Sequence, residues 1–581
     1  MHDTEKKRIW TFIILIGVSC LSVTTAALKQ FSVAETLKLS RKENKNKQSN
    51  NSNNHERVEI GSDVDTGTSD VLELYLDQRL DHFSSHPSGD KLVPHSFQQR
   101  YFYTARFTNE ATESKQKNGN PSEYNNNLRH KKRTGFDTTV SFVFICVGGE
   151  GPSLDKTVLT DSPHCSGDML ALAGLLAAEK NANIYVFALE HRYYGKSYPE
   201  FKDGSSPVTN ENLAYLSSRQ ALADLAHFTE FIKDEYQIGD VPVVTFGGSY
   251  PGMLAAWSRS KYPHLIHAAV SNSAPIKVIL DFSEYMNVYA RSMSNPVVGG
   301  SQLCLDLIHE GHEEIAAMLS KGGQDENEYI ASVFNICDGS DALKDPKSVN
   351  SFLGDGVVFF DVQSNDPSCE EEFCSIGKFC DFITEESDTT STPIIEILAK
   401  LSNATHENDC KDISWERMIS FLSSPDAIAE GTRSWLYQTC TEVGFYQTCE
   451  ANTACPFARG YHTLDADYEI CERAFGINRD FVKQNVEDTL TYYGGWNISA
   501  SRILSVNGDI DPWSAMSLSN SDNKSSNGDL PVVWSNSSSH HYWTHQIKKS
   551  DGEVIMNTRA LIYNWVTKVL YGTESTFTDT W

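Results

Sequence analysis

The chain has 581 residues and a formal net charge of −28 at pH 7. A chain of this length can bury a large core and has room for more than one domain. The acidic excess argues against a nucleic-acid partner, because the phosphate backbone repels a protein of this charge.

The N-terminal segment is typical of a secretory signal. Basic residues at 6–8 precede an apolar run at 9–23, and small residues follow at 24–27. The run is shorter than a typical membrane span, so we expect cleavage of residues 1–27 and no stable span afterwards; an uncleaved signal anchor is the alternative. Residues 28–70 are polar and poor in aromatic residues, which predicts a disordered leader or propeptide.

Cysteine usage agrees with a secretory protein. Of the 13 cysteines, ten lie between Cys304 and Cys471, which predicts that disulfides staple this region. Cys146 lies in an apolar strand and is a candidate free core thiol. No histidine pair follows the cysteines at zinc-ligand spacing, so we predict neither a metal nor another cofactor. Candidate N-glycosylation sequons begin at Asn50, Asn403, Asn497, Asn523 and Asn536.

Strand and helix patterns alternate after a polar insert at 109–134. The predicted strands are 140–147, 183–189, 241–246 and 266–271, and the predicted helices are 211–235 and 250–262. From about residue 275 the chain is cysteine-rich and helix-like, and sheet patterns return at 501–506 and 530–534, before a helix at 554–570. Such alternation favours a mostly parallel sheet covered on both faces.

The domain organisation follows from that interruption. We predict an α/β fold whose core has two parts, at 71–274 and 486–581. A mainly helical, disulfide-stapled cap at 275–485 is inserted between them.

The turn Gly247-Gly-Ser-Tyr250 is the most informative motif. It joins a buried strand to a buried helix and resembles the nucleophile elbow of an α/β-hydrolase, which predicts Ser249 as the nucleophile. The backbone N–H of Tyr250 can face a developing oxyanion, and the glycine-rich loop at Gly149 is the expected second half of that oxyanion hole. Pro251 stands where such elbows usually have glycine, but proline is tolerated in a first helical turn.

An acid and a histidine should follow the serine in chain order, each after a later strand. Asp509 and Asp511 both lie in the loop after 501–506, and Asp511 precedes a proline that favours extended backbone. His540 follows the next strand, 29 residues after Asp511, and His541 and His545 remain rivals for the role of base.

Several segments together resemble the S28 family of serine peptidases, which includes Pro-X carboxypeptidases and dipeptidyl peptidases. The resemblance spans roughly residue 74 to the C-terminus and rests on segments 78–83, 99–101, 149–151, 190–197, 247–250, 253–257, 507–513 and 540–541. Segments 268–275, 280–285 and 437–446 look most like the thymus-specific branch. The resemblance implies an α/β-hydrolase core under a helical cap, with Ser249 as nucleophile, Asp511 as acid and His540 as base.

The resemblance therefore implies a serine-type exopeptidase that cleaves beside proline near one end of a peptide, in the extracellular space or in a lysosomal or endosomal compartment. Two other functions stay open: another acyl hydrolase such as a lipase or esterase, and a catalytically silent peptide-binding homologue. Whether the amino or the carboxy end is cut also stays open, as does a homodimer.

Overall fold

The computed structural model describes residues 70–84, 93–108, 140–389, 391–405, 410–424, 431–519 and 530–572. The predicted signal, the predicted leader except its last residue, and the polar insert at 109–134 lie outside these residues.

A mixed eight-stranded sheet forms the centre of the molecule. Its strands stand in the order β1-β2-β4-β3-β5-β6-β9-β10, and among them β2 alone runs against the others. The strands are β1 (Val71–Arg79), β2 (Ser96–Thr104), β3 (Ser141–Val147), β4 (Asn183–Leu189), β5 (Val243–Gly248), β6 (Ala268–Asn272), β9 (Ile503–Gly508) and β10 (Val532–Ser535). This order and direction define the α/β-hydrolase sheet, so the predicted fold class is confirmed.

Helices cover both faces of the sheet, because alternate residues of each buried strand point to opposite sides. In β3, Val143 and Ile145 belong to the core shared with α2 (Ser218–Glu235) and α3 (Ser249–Lys261). Phe142 and Phe144 belong to the core on the other face, shared with α1 (Ala171–Lys180) and α14 (Glu553–Tyr571). Both faces are apolar, which explains why these strands read as continuous hydrophobic runs.

A helical insertion separates β6 from β9. It contains a two-stranded parallel ribbon of β7 (Ile279–Asp281) and β8 (Gly444–Tyr446). Its helices are α4 (Glu284–Met293), α5 (Gln302–Lys321), α6 (Gln324–Val333), α7 (Pro346–Gly354), α8 (Ile376–Thr389), α9 (Ile394–Thr405), α10 (Trp415–Leu422), α11 (Thr432–Gln438), α12 (Leu464–Phe475) and α13 (Arg479–Tyr493). The insertion shares one continuous apolar core with the α2 and α3 face of the sheet. The bounds 275–485 for this cap stay a prediction.

Disulfides staple the insertion as expected. Five bridges lie within it: Cys304–Cys380, Cys337–Cys410, Cys369–Cys374, Cys440–Cys471 and Cys449–Cys455. The interpretation of Cys146 as a candidate free thiol is wrong, because Cys146 is bonded to Cys165. The strand that buries Cys146 ends next to the loop that carries Cys165, and the sequence pattern gave no sign of that contact.

Strands β1 and β2 were absent from the prediction. β2 buries Gln99 and Arg100, which pair with other buried polar groups, so the segment lacks the apolar run that marked β3 and β4. The elbow strand and helix are displaced by two residues or fewer from their predicted bounds. Within the described ranges, no helix has the length and apolar character needed to cross a membrane.

Candidate active site

The turn at Ser249 has the geometry of a strained elbow. Strand β5 ends at Gly248 and helix α3 begins at Ser249, whose φ of 60° lies in the left-handed region. A non-glycine residue there is held against its own preference, which is common at active sites. A Cβ at Gly247 would lie 2.3 Å from the carbonyl oxygen of Pro251, so the tight turn demands glycine.

The loop after β3 packs directly against this elbow. A Cβ at Gly149 would lie 2.4 Å from Cγ of Pro251, so the proline ring occupies the space beside Gly149. Pro251 is the third residue of α3, where a backbone N–H has no intrahelical partner to lose. The atypical proline is therefore accommodated, and it ties the two loops predicted to form the oxyanion hole to each other.

The structure brings Asp511 and His540 together. Oδ2 of Asp511 lies 2.7 Å from Nδ1 of His540, and both side chains are buried. Asp511 also accepts a 3.0 Å hydrogen bond through Oδ1 from the backbone N–H of Trp513, which fixes the carboxylate at the start of a short helical turn. Nε2 of His540 has no hydrogen-bond partner among the described residues. A histidine held in this way can accept a proton at Nε2.

The rival residues lie differently. Asp509 is exposed. The ring of His541 contacts both the elbow and His540, since a Cβ at Gly248 would be 2.8 Å from it and its centroid is 4.5 Å from that of His540. Burial lowers the pKa of His541 well below its usual value, and the nearby His540 lowers it further. His545 is a further step away, with its ring centroid 6.0 Å from that of His541.

The side chain of Tyr250 is anchored in the interior while its backbone remains in the elbow. Its hydroxyl accepts a 2.8 Å hydrogen bond from Nε2 of Gln438 and donates a 3.1 Å bond to Nε2 of His191. Nδ1 of His191 donates to the carbonyl of Arg192, and burial lowers the pKa of this imidazole to about 4, which favours a neutral ring with Nε2 as the acceptor. The side chain of Tyr250, the predicted oxyanion-hole residue, is thus held from both the core and the insertion.

Segment 190–197 forms a buried hydrogen-bond network. Arg192 makes two 2.6 Å bonds to the carboxylate of Asp224 on α2. Glu190 forms an ion pair with Arg100 on β2 and accepts a 2.8 Å hydrogen bond from the hydroxyl of Ser197. These buried pairs lock β2, β4 and α2 behind the elbow.

Gln438 was not predicted as a site residue, although it lies in segment 437–446, which resembles the family. Its Oε1 accepts a 2.7 Å hydrogen bond from the hydroxyl of Tyr194, and its Nε2 donates a hydrogen bond to the hydroxyl of Tyr250. A single glutamine in a helix-rich insertion carries no sequence signal, and its importance emerges from tertiary contact. In the described part of the chain, no group of three or more His, Cys, Asp or Glu side chains is arranged to hold a metal ion.

The sheet and the strained serine turn define the protein as an α/β-hydrolase. Within that class the chain belongs to the serine carboxypeptidase S28 family, whose model matches residues 122–562. Family membership makes it a serine-peptidase type of hydrolase.

Curated relatives agree with this assignment. The thymus-specific serine protease of Mus musculus is 34% identical over 402 residues, covering 67% of this chain and 73% of the relative. The lysosomal Pro-X carboxypeptidase of Homo sapiens is 30% identical over 347 residues, covering 58% and 65%. Among solved structures, the peroxisomal α/β-hydrolase Lpx1 of Saccharomyces cerevisiae aligns over 88% of this chain and 92% of its own, at 10% identity and a TM-score of 0.31.

Proposed function

We propose that the protein is a serine exopeptidase that uses Ser249 as nucleophile, His540 as general base and Asp511 as the residue that orients the base. The observation that carries this proposal is the buried 2.7 Å contact between Asp511 and Nδ1 of His540, with Nε2 of the same ring left to accept a proton. The strained φ of Ser249, at the start of α3, supports the role of nucleophile.

The proposed reaction has two halves. His540 Nε2 takes the proton of Ser249 Oγ as that oxygen bonds to the scissile carbonyl carbon. The backbone N–H groups of Tyr250 and Gly149 would stabilise the negative charge on the carbonyl oxygen. His540 then returns the proton to the leaving nitrogen, the C–N bond breaks, and an acyl-enzyme remains. Water attacks this ester with the same base, and the acid product leaves Ser249 free.

Cleavage beside proline near a peptide end is the substrate class we propose. The name of the relative in Homo sapiens, a lysosomal Pro-X carboxypeptidase, supports proline recognition. The insertion supports action on peptide ends, because helix α11 contacts the elbow residue Tyr250 through Gln438 and Trp435. Helices so close to the turn would obstruct a long folded substrate.

The location we propose is the extracellular space or a lysosomal or endosomal compartment. Six disulfides fit an oxidising secretory route. Asn497 and Asn536 are exposed, as a glycan acceptor must be. The amide of Asn403 donates 2.9 Å to the carbonyl of Val333, so a glycan there would have to be added before α9 packs. Asn523 lies outside the described residues.

A fluorophosphonate probe tests the nucleophile directly. We expect the purified secreted protein to be labelled at pH 5 or pH 7, and Ser249→Ala to be unlabelled. Peptide panels with proline near the amino or the carboxy end then identify which end is cut. A folded, fully processed wild type that resists the probe would favour a silent peptide-binding homologue. Labelling with turnover of long-chain esters and of no peptide would favour a lipase or esterase.

A further inference from the structure

One short segment of the insertion lies along both loops that carry the proposed acid and base. This docking segment, residues 362–366, begins with a single helical turn (Val362–Ser364). It is anchored in the cap, because Oδ1 of Asn365 accepts a 2.8 Å bond from the backbone N–H of Ile376 at the start of α8. Helix α8 is in turn bonded to α5 through Cys380 and Cys304.

Gln363 contacts both loops at once. Its backbone carbonyl accepts a 3.1 Å hydrogen bond from the backbone N–H of His540. Its side-chain Oε1 accepts a 2.5 Å bond from Nε1–H of Trp513, two residues after Asp511. Gln363 is 1% exposed, so water does not compete for either bond. One residue of the cap therefore joins the histidine loop to the aspartate loop.

Neighbouring contacts keep the docking segment in register with the histidine loop. The backbone carbonyl of Asn365 accepts a 2.7 Å hydrogen bond from the hydroxyl of Ser539, the residue directly before His540. The carboxylate of Asp366 accepts a 3.0 Å hydrogen bond from the hydroxyl of Tyr542 and a 2.9 Å hydrogen bond from Nζ of Lys548. The segment thus lies beside the loop on both sides of the histidine.

On the aspartate side, Trp513 transmits the contact. Its backbone N–H donates to Asp511, while its ring packs against Phe282, Tyr285 and Phe445 of the insertion, with centroids 5.4 to 5.6 Å apart. The indole is 2% exposed. Rotation of this ring would displace the carboxylate that orients His540.

We propose that Gln363 is a positioning residue that holds Asp511 and His540 at their working separation. This inference rests on the proposed function of those two residues. Misplacement of a catalytic group by about 1 Å costs about 100-fold in rate, so removal of the side-chain acceptor should slow the chemical step about 10- to 100-fold. Binding of the reactant should be preserved, because Gln363 acts through the triad.

The experiment measures fluorophosphonate inactivation of the full-length protein as a maximal rate, kinact, and an apparent dissociation constant, KI. Gln363→Met removes the acceptor and keeps the volume, and Trp513→Phe removes the donor from the other side of the same bond. The double variant, which carries both substitutions, completes a double-mutant cycle. Lys548→Met is the matched control, since it removes a contact at the exposed rim of the same interface. Melting temperatures report folding.

We expect each single variant to lose about 10- to 100-fold in kinact with KI unchanged, and the double variant to lose no more than the worse single variant. A purely structural role would lower the melting temperature without this pattern. A wild-type kinact in either folded single variant would overturn the proposal. So would a double variant whose loss of kinact equals the product of the two single losses. If Gln363→Met does not fold, the kinact of Trp513→Phe decides the question. Failure of the wild type to react would remove the proposed function and this inference together.

Discussion

Nδ1 of His540 lies 2.7 Å from Oδ2 of Asp511, although 29 residues separate them in the chain. An asparagine at 511 would still fit but would favour the wrong imidazole tautomer, so we expect Asp511→Asn to lower kcat by about 10⁴-fold. Ser249→Ala should lower it by about 10⁶-fold. The measurement is kcat on the best peptide of the panel, with circular dichroism to verify the fold. Near-normal turnover by Asp511→Asn would exclude Asp511 as the orienting acid.

The adjacent histidines should respond differently to substitution. We expect His540→Ala to abolish turnover and His541→Asn to lower kcat about 10- to 100-fold, because His541 packs against both Gly248 and His540 and affects only their placement. Its backbone N–H would keep the 2.8 Å bond to Ser273 in either case. Comparison of the two variants in labelling and in kcat checks the assignment. A reversed ranking would make His541 the base.

Tyr250→Phe separates the side chain of the elbow from its backbone. The substitution removes a buried hydroxyl and leaves Nε2 of His191 without its donor, which should cost about 1–3 kcal/mol of unfolding free energy. The backbone N–H at position 250 remains, so kcat should change little. Urea denaturation and kinetics on the same preparation test both halves. A large loss of kcat with normal stability would assign the hydroxyl itself to catalysis.

The Arg192–Asp224 pair should dominate local stability behind the elbow. Both side chains are buried, and loss of one partner leaves an uncompensated charge, so Asp224→Ala should cost about 3–5 kcal/mol of unfolding free energy. Lys344→Met is the control, because its pair with Asp341 is solvent-exposed and its loss should not change stability measurably. Urea midpoints compare the two, and equal effects would contradict the assigned importance of burial.

Buried neutral histidines should make the protein sensitive to acid. Nδ1 of His312 donates to the carbonyl of Ile308, and Nε2 accepts from the N–H of Val357, so the ring is neutral. Burial lowers the pKa of His312 from 6.5 to about 4. Between about pH 6.5 and pH 4 the His312 imidazole therefore binds a proton in the unfolded chain but not in the folded protein. The free energy of unfolding falls as the pH drops through this range, by about 3 kcal/mol for this group.

His312→Asn removes that titration and keeps a donor near the carbonyl of Ile308. We expect its unfolding free energy to depend less steeply on pH between about 6.5 and 4 than that of the wild type. Urea unfolding at several pH values gives both slopes. Identical slopes would mean that His312 does not titrate differently in the two states.

Much of the fold could be predicted because local patterns carried it. The apolar runs of β3 and β4 and the strand–turn–helix at Ser249 mark elements that are buried on both faces, and a buried parallel strand needs few other clues. β1 and β2 could not be recognised in the same way. Their buried positions include Gln78, Gln99 and Arg100, which are satisfied by partners far along the chain.

The candidate site, like the fold, could be predicted from sequence only where the information is local. The order serine, aspartate, histidine and the strand before each are local, so Ser249, Asp511 and His540 could be named from sequence. The choice of Asp511 over Asp509 and of His540 over His541 rested on loop position and on family resemblance, whereas the contact itself depends on how β9 and β10 pair.

Sequence alone predicted a secretory protein and determined the disulfide-rich insertion and the serine elbow, because each depends on composition or on a few adjacent residues. Tertiary structure alone decided that Cys146 pairs with Cys165, that Gln438 holds Tyr250 and that Gln363 contacts the loops of both Asp511 and His540. Those contacts join residues between 19 and 188 positions apart. Single cysteines and glutamines at such distances have no sequence periodicity that would predict these contacts. The packing of the insertion against the core brings the two glutamines to their partners, and the packing of the loop before α1 against β3 brings the two cysteines together.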